Sequence, residues 1–323
     1  MIIPNYLKDG DIIGVTACSC GVLDKLDKYE ESISNIKEKG FEIIETNNVR
    51  TTGIVSSDSV TRAKELESLY LNKDVKLVSI ASGGDFLLDM LDKIDYSIIR
   101  NNIKWISGSS DPTSLLFLIT TNYDIATIYS PCNMSGFDSK SLHQSYLNYL
   151  EILKGNLVRQ NKFAFCEDKS FSDVFDKDNE WFNINGDVDD SGILIGGCIE
   201  CLKDIIGTKY DKTKEFIEKY KNDGIIWYFD IFSMTSEDLY KTLIQFKYAG
   251  WFKYTKTILI GKVCFPNSFL EYKYEDAIKD ALFDMNVIYK FDVGHVKPSF
   301  TMINGMKVRI VSNEKVGYLE YIK

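Results

Sequence analysis

Basic residues are in deficit: Lys and Arg number 38 against 47 Asp and Glu, a formal net charge of −9 over 323 residues. Nucleic-acid polymers are held by clustered Lys and Arg, so this balance argues against such a partner. The lysines interleave with acids, as in 23-LDKLDKYEESISNIKEKG-40, the pattern of a solvated helix face with i,i+4 pairs. No apolar run approaches the ~20 residues that cross a bilayer. The opening MIIPNYLKDGD has neither the basic nor the apolar stretch of a secretory signal. A cytoplasmic chain without membrane association is therefore expected. The seven cysteines form no even, closely spaced framework, which points to free thiols in a reducing compartment. Cys18/Cys20 and the C-x-x-C pair Cys198/Cys201 do not supply the usual ligand set of a zinc site. No metal and no cofactor are expected. The phosphate-binding patterns G-x-x-x-x-G-K-[ST] and G-x-G-x-x-G are missing, which counts against a nucleotide-binding oxidoreductase. Histidine is scarce too, with only His143 and His295 available as a general base.

What is present is a clear alternation. A chain this long favours two domains. Residues 1–150 set apolar strand-like runs (11-DIIGVTA-17, 41-FEIIET-46, 75-VKLVSIA-81, 103-IKWIS-107, 125-IATIYS-130) between helix-like segments at 24–40, 61–72, 86–94 and 112–122. This spacing predicts a Rossmann-like α/β domain, a mostly parallel sheet with helices on both faces. Ligands gather beyond the carboxyl ends of such strands, where 17-ACSCG-21, 81-ASGGD-85 and 107-SGSSD-111 fall. Residues 151–190 are polar and weakly periodic and read as a connecting segment that orders over a substrate. Residues 191–323 read as a smaller, sheet-rich mixed domain, with strands near 192–197, 224–232, 256–263, 286–292 and 306–312 and one clear helix at 237–250.

Ser110 lies between a strand and a helix, after Gly108 and before Pro112. Two readings fit. Ser or Asp is a preferred N-cap and Pro suits a first turn. The same sharp turn would expose a nucleophilic hydroxyl, with the Asp111 N–H beside it to stabilise an oxyanion. A serine nucleophile needs a base. His143 sits in a helical stretch, 139-SKSLHQSYLNYLEIL-153, whereas His295 follows Gly294 in a loop that can present its ring to a cleft. The histidine in turn needs a carboxylate. Asp230 interrupts the apolar strand 224-GIIWYFDIF-232, and an acid there is costly to bury without a partner. Glu237 is the rival, although an acid in the first turn of a helix is explained by the helix dipole. Gly83-Gly84 after a central strand permits close backbone approach and an available N–H.

In this order the segments resemble the LD-carboxypeptidase family of serine peptidases, which includes the microcin C self-immunity peptidases. The resemblance runs from 9-DGDIIGVTACS-19 through 62-RAKELESLYLNKDVKLVSIASGGD-85, 108-GSSDPTSL-115, 195-IGGCIECLKDIIGT-208 and 224-GIIWYFD-230 to 294-GHVKPSFTMINGMKVRI-310. It implies a triad of Ser110, Asp230 and His295 and an oxyanion hole from the N–H groups of Asp111 and Gly84. Where that family normally carries Glu, this chain has Asp230, one methylene shorter. The family implies cleavage of an amide between L- and D-centres, as in murein tetrapeptides. In its immunity branch the substrates are peptidyl- or aminoacyl-nucleotides and a loop tryptophan stacks on the base. Here 179-NEWFN-183 is similar to that loop and makes Trp181 the candidate. The balance leans to the immunity branch, with murein peptides as the competitor. A homodimer is implied by the family alone. A binding protein on the same scaffold, its catalysis weakened by the Glu-to-Asp change, is the alternative.

Overall fold

Short aliphatic and β-branched runs alternate with helix-like stretches in the first half of the chain, and most take the conformation their period favours. The computed structural model describes residues 1–138 and 143–322, in two units, Met1–Asn156 and Leu157–Lys323. In the first, β1 (Ile12–Thr16), β2 (Glu42–Glu45), β3 (Val75–Ile80), β4 (Trp105–Gly108) and β5 (Thr127–Tyr129) run parallel in the order β5-β4-β3-β1-β2. They alternate with α1 (Leu26–Glu38), α2 (Ser59–Leu71), α3 (Tyr96–Asn101) and α4 (Thr113–Tyr123), and α5 (Gln144–Leu153) follows. Helix α1 buries Tyr29, Ser32, Ile33 and Ile36, one face at helical spacing. Asp58 caps α2 by accepting the Thr61 N–H. Helix α4 is buried on all sides from Thr113 to Thr121.

Three differences from the sequence reading have local causes. The helix expected at 86–94 is only a 3-10 turn at Leu88–Met90. The Phe86 and Leu87 N–H groups donate to Ser19 Oγ and Asp111 Oδ2, and the Phe86 carbonyl accepts from Arg62, so tertiary partners occupy what a helix would need. Helix α3 has no counterpart among the expected segments; Asp95 caps it. The helical run expected from 139 begins at Gln144. Residues 139–142 lie outside the described residues, and His143 caps α5, its Nδ1 accepting the Ser145 N–H at 3.1 Å.

The second unit contains β6 (Gln160–Asn161), β7 (Phe165–Glu167), β8 (Phe175–Asp178), β9 (Phe182–Ile184), β10 (Val188–Cys198), α6 (Ile199–Ile205), α7 (Thr213–Lys219), β11 (Ile225–Ile231), α8 (Ser236–Tyr248), β12 (Thr255–Val263), α9 (Tyr274–Ala281), β13 (Asn286–Phe291), β14 (Met302–Asn304), β15 (Lys307–Ser312) and β16 (Gly317–Tyr321). Its main sheet has the order β6-β16-β15-β10-β11-β12-β13-β9. The four strands β10–β13 are parallel and apolar; antiparallel neighbours flank them. The segment expected to be a connection supplies β6 and β9 to this sheet and folds β7 and β8 into a separate hairpin. Among the described residues no helix is long and apolar enough to cross a membrane.

Candidate functional site

In the first unit the ends of β1, β3 and β4 place three loops side by side. Ser110, between β4 and α4, has φ +67°, in the left-handed region that costs a non-glycine residue roughly 1–3 kcal/mol. The turn is held from several sides. Asn133 accepts the Ser109 N–H at 2.9 Å and donates to the Ser109 carbonyl at 3.0 Å, and the Tyr129 hydroxyl accepts the Ser110 N–H at 3.0 Å. Pro112 occupies the N-cap position of α4, with Ser110 two residues before it in the turn. Gly83 lies against the serine: a Cβ there would be 3.1 Å from Ser110 Cβ and 3.3 Å from Oγ. At Gly84, with φ +149°, a side chain would run into Ser19 Oγ and Cys20 Sγ, so the close packing of two loops requires glycine.

Asp111 turns its carboxylate inward, where it accepts the Leu87 N–H at 3.0 Å and is hydrogen-bonded by Ser19. Burial pushes its carboxyl up to about 6, with those hydrogen bonds pulling the other way. Beneath the loops the buried Arg62 donates to the carbonyls of Ser57, Cys18 and Phe86 and pairs with Asp89 at 2.7 Å. The residues that brace the turn (Tyr129, Asn133, Ser19) carry no local sequence signal; only the fold brings them there.

In the second unit Asp230 occupies the bulged end of β11, fully buried, opposite Cys198 of β10. Its Oδ2 lies 2.7 Å from Nδ1 of His295 and its Oδ1 accepts the His295 backbone N–H at 3.1 Å. The carboxylate thus faces Nδ1 directly, and the contact becomes an ion pair when the imidazole is protonated. Gly294, at φ +109°, allows this approach, because a side chain there would strike the Asp230 carboxylate. Burial works against the imidazolium, but the Asp230 charge and hydrogen bond outweigh it and raise the His295 pKa, with a further contribution from Glu200. Glu237 is engaged elsewhere. It accepts from Ser268 Oγ and from the Phe269 and Leu270 N–H groups, and these bonds hold its carboxyl at about 2 against desolvation.

Aromatic rings surround His295: Phe232 at 4.7 Å between centroids and Phe171, from the turn of the β7–β8 hairpin, edge-on at 6.5 Å. Glu167 fixes the hairpin by accepting the Asp173 and Lys297 N–H groups, and Lys297 Nζ pairs with Asp173 at 2.8 Å. Trp181 packs on Phe291 at 4.5 Å and meets Phe300 edge-on at 5.9 Å, in the manner of a loop anchor. All seven cysteines are free thiols. Cys198 is hydrogen-bonded with Cys201, and this and burial hold it well above the usual thiol range.

The sequence matches the LD-carboxypeptidase N-terminal domain over residues 13–130 and the LD-carboxypeptidase C-terminal domain over residues 191–310. It is 24% identical to the microcin C7 self-immunity protein MccF of Escherichia coli, over 95% of this chain and 92% of that one. It is 23% identical to the "Probable murein peptide carboxypeptidase" of Bacillus subtilis, over 98% and 94%. The fold matches MccF in complex with aspartyl sulfamoyl adenosine at a TM-score of 0.87, with 20% identity and 100% and 99% of the two chains covered. It matches muramoyltetrapeptide carboxypeptidase from Oxalobacter formigenes at 0.75, with 17% identity over 97% and 99%. With both of its domains matched in order, the chain belongs to the LD-carboxypeptidase family.

Proposed function

We propose that the chain is a serine peptidase that cleaves an amide by acyl transfer, with Ser110 as nucleophile, His295 as general base and Asp230 as its orienting carboxylate. The observation that carries this reading is the buried Asp230 carboxylate 2.7 Å from His295 Nδ1. With Nδ1 facing the acid, Nε2 is the nitrogen that takes the serine proton as Oγ attacks the carbonyl and returns it to the leaving amine. Water then releases the acyl group from Ser110. The N–H groups of Asp111 and Gly84 are the proposed oxyanion donors; losing one such donor costs roughly 3–4 kcal/mol. The strained φ of Ser110 suits a hydroxyl presented for attack.

The preferred substrate is an aminoacyl- or peptidyl-nucleotide, with the L,D-amide of a murein tetrapeptide second. Support comes from the aromatic faces beside His295 and from the solved complexes of MccF with aspartyl sulfamoyl adenosine and glutamyl sulfamoyl guanosine. Phe171, half exposed and edge-on to the imidazole, is a second candidate for a substrate ring beside Trp181, which packs against Phe291 and Phe300. A hydrolysis panel of aminoacyl-sulfamoyl adenylates and murein tetrapeptide tests the choice. Turnover is expected in the first group and its loss in a folded Ser110→Ala variant. Binding without turnover, together with no labelling of Ser110 by a fluorophosphonate, would favour the binding-protein alternative.

A further inference from the structure

Beyond Asp230 a second acid is directed at the turn that seats the histidine. Glu200, in the first turn of α6, accepts the N–H groups of Phe232, Ser233 and Met234 on its Oε1, at 3.0, 2.9 and 3.0 Å. Three successive backbone amides on one carboxylate oxygen form an anion nest. Its other oxygen accepts the Cys198 thiol at 3.2 Å. The nest begins just after β11 ends, two residues beyond Asp230, and its first residue, Phe232, lays its ring 4.7 Å from that of His295.

We propose that Glu200 is a positioning residue for His295: it pins the turn that holds Phe232 on the imidazole, and it adds a second negative charge behind that turn. The inference rests on the reading of Asp230 and His295 as the catalytic pair. Among the described residues the charges that act on the imidazole include Asp230 from β11 and Glu200 from α6, while on the hairpin side Glu167 accepts the Asp173 and Lys297 N–H groups and Lys297 pairs with Asp173. A neutral Glu200 therefore leaves the imidazolium with less compensation, and its pKa falls.

The test uses the full chain and two variants. Glu200→Gln keeps an acceptor for the three amides and removes the charge; Glu200→Ala removes both. The chain has two histidines, so a side-chain NMR titration reads His295 with His143 as an internal reference. Glu200→Gln is expected to lower the His295 pKa, leave His143 unmoved and shift the acid limb of kcat/KM to lower pH in step. Glu200→Ala is expected to lower kcat about tenfold with KM nearly unchanged, the scale of loss for a residue that orients a catalytic ligand. An unchanged His295 titration in Glu200→Gln overturns the proposal, as does wild-type kcat/KM in a folded Glu200→Ala. A lowered melting temperature without a moved titration would mean a structural role only and overturns it equally. If the wild type hydrolyses no amide, the titration still decides the role of Glu200, and the failure falls on the peptidase reading alone.

Discussion

At the residue scale the sharpest question is the length of the acid. Asp230 Oδ1 already accepts the His295 N–H, and the Gly294 backbone leaves no room beside it. One more methylene would overpack the site, a change that costs roughly 1–3 kcal/mol in a close-packed interior. Asp230→Glu is therefore expected to lower kcat/KM, although glutamate is the usual residue of the family. Asp230→Asn, which keeps the shape and loses the charge, should lower it by roughly 10⁴-fold through the wrong imidazole tautomer. Glu237→Gln should leave it within a few-fold, because that carboxylate serves the loop at 268–270. Steady-state assays of the three variants on one cleavable substrate decide this; a rise in Asp230→Glu would mean that Asp230 is a remnant. Asp230 is legible in the sequence because an acid inside an apolar strand needs a partner, and His295 because glycine precedes it in a loop. Glu200 and Phe171 are not. The first meets the turn after β11 only through the register that sets Cys198 opposite Asp230, and the second meets the histidine only through a hairpin clamped at Glu167.

At the scale of elements, the loop after β3 depends on one buried acid. Asp111 holds Leu87 directly and Phe86 through Ser19, which fixes the path of Gly83 and Gly84 beside Ser110. Its carboxyl is raised from 3.8 to about 6 by burial. Between those values the folded state binds the proton more tightly than the unfolded chain, so stability from this group is fully present below pH ~4 and declines until pH ~6. The size of the decline is at most roughly 3 kcal/mol. Asp111→Asn should flatten that slope, and urea denaturation of both proteins between pH 4 and 7 measures it as a difference in which the other groups cancel. Parallel curves would sink the assignment. These same bonds explain why the sequence misleads at 86–94: its apolar spacing is helical, but its amides and a carbonyl are committed to Ser19, Asp111 and Arg62. The hairpin at 165–178 looks irregular in sequence because its strands are short and polar and their side chains line no continuous core.

At the scale of the molecule, each unit carries part of the proposed chemistry on its own sheet. The parallel sheet of β1–β5, though not its strand order, is readable, because apolar strand-like runs there alternate with helix-like segments. The share that residues 157–190 take in the second sheet is not, because β6 and β9 borrow their order from the edges of a sheet whose other strands lie far along the chain. That arrangement leads to a last expectation. The bonds described for Asp230 and His295, the Glu200 nest and the Glu167 clamp all fall within Leu157–Lys323, around the apolar strands β10–β13. A protein comprising residues 157–323 alone should therefore fold cooperatively and retain a His295 titration above that of an ordinary histidine. It should turn over no amide, because Ser110, Asp111 and Gly84 belong to the other unit. Circular dichroism melting and histidine NMR on this fragment measure both properties. A fragment that folds but shows an ordinary His295 titration would mean that the pair needs more than its own sheet to form. Asp230 would then no longer suffice as the cause of the raised imidazole pKa, and its role as the orienting carboxylate would fall as well.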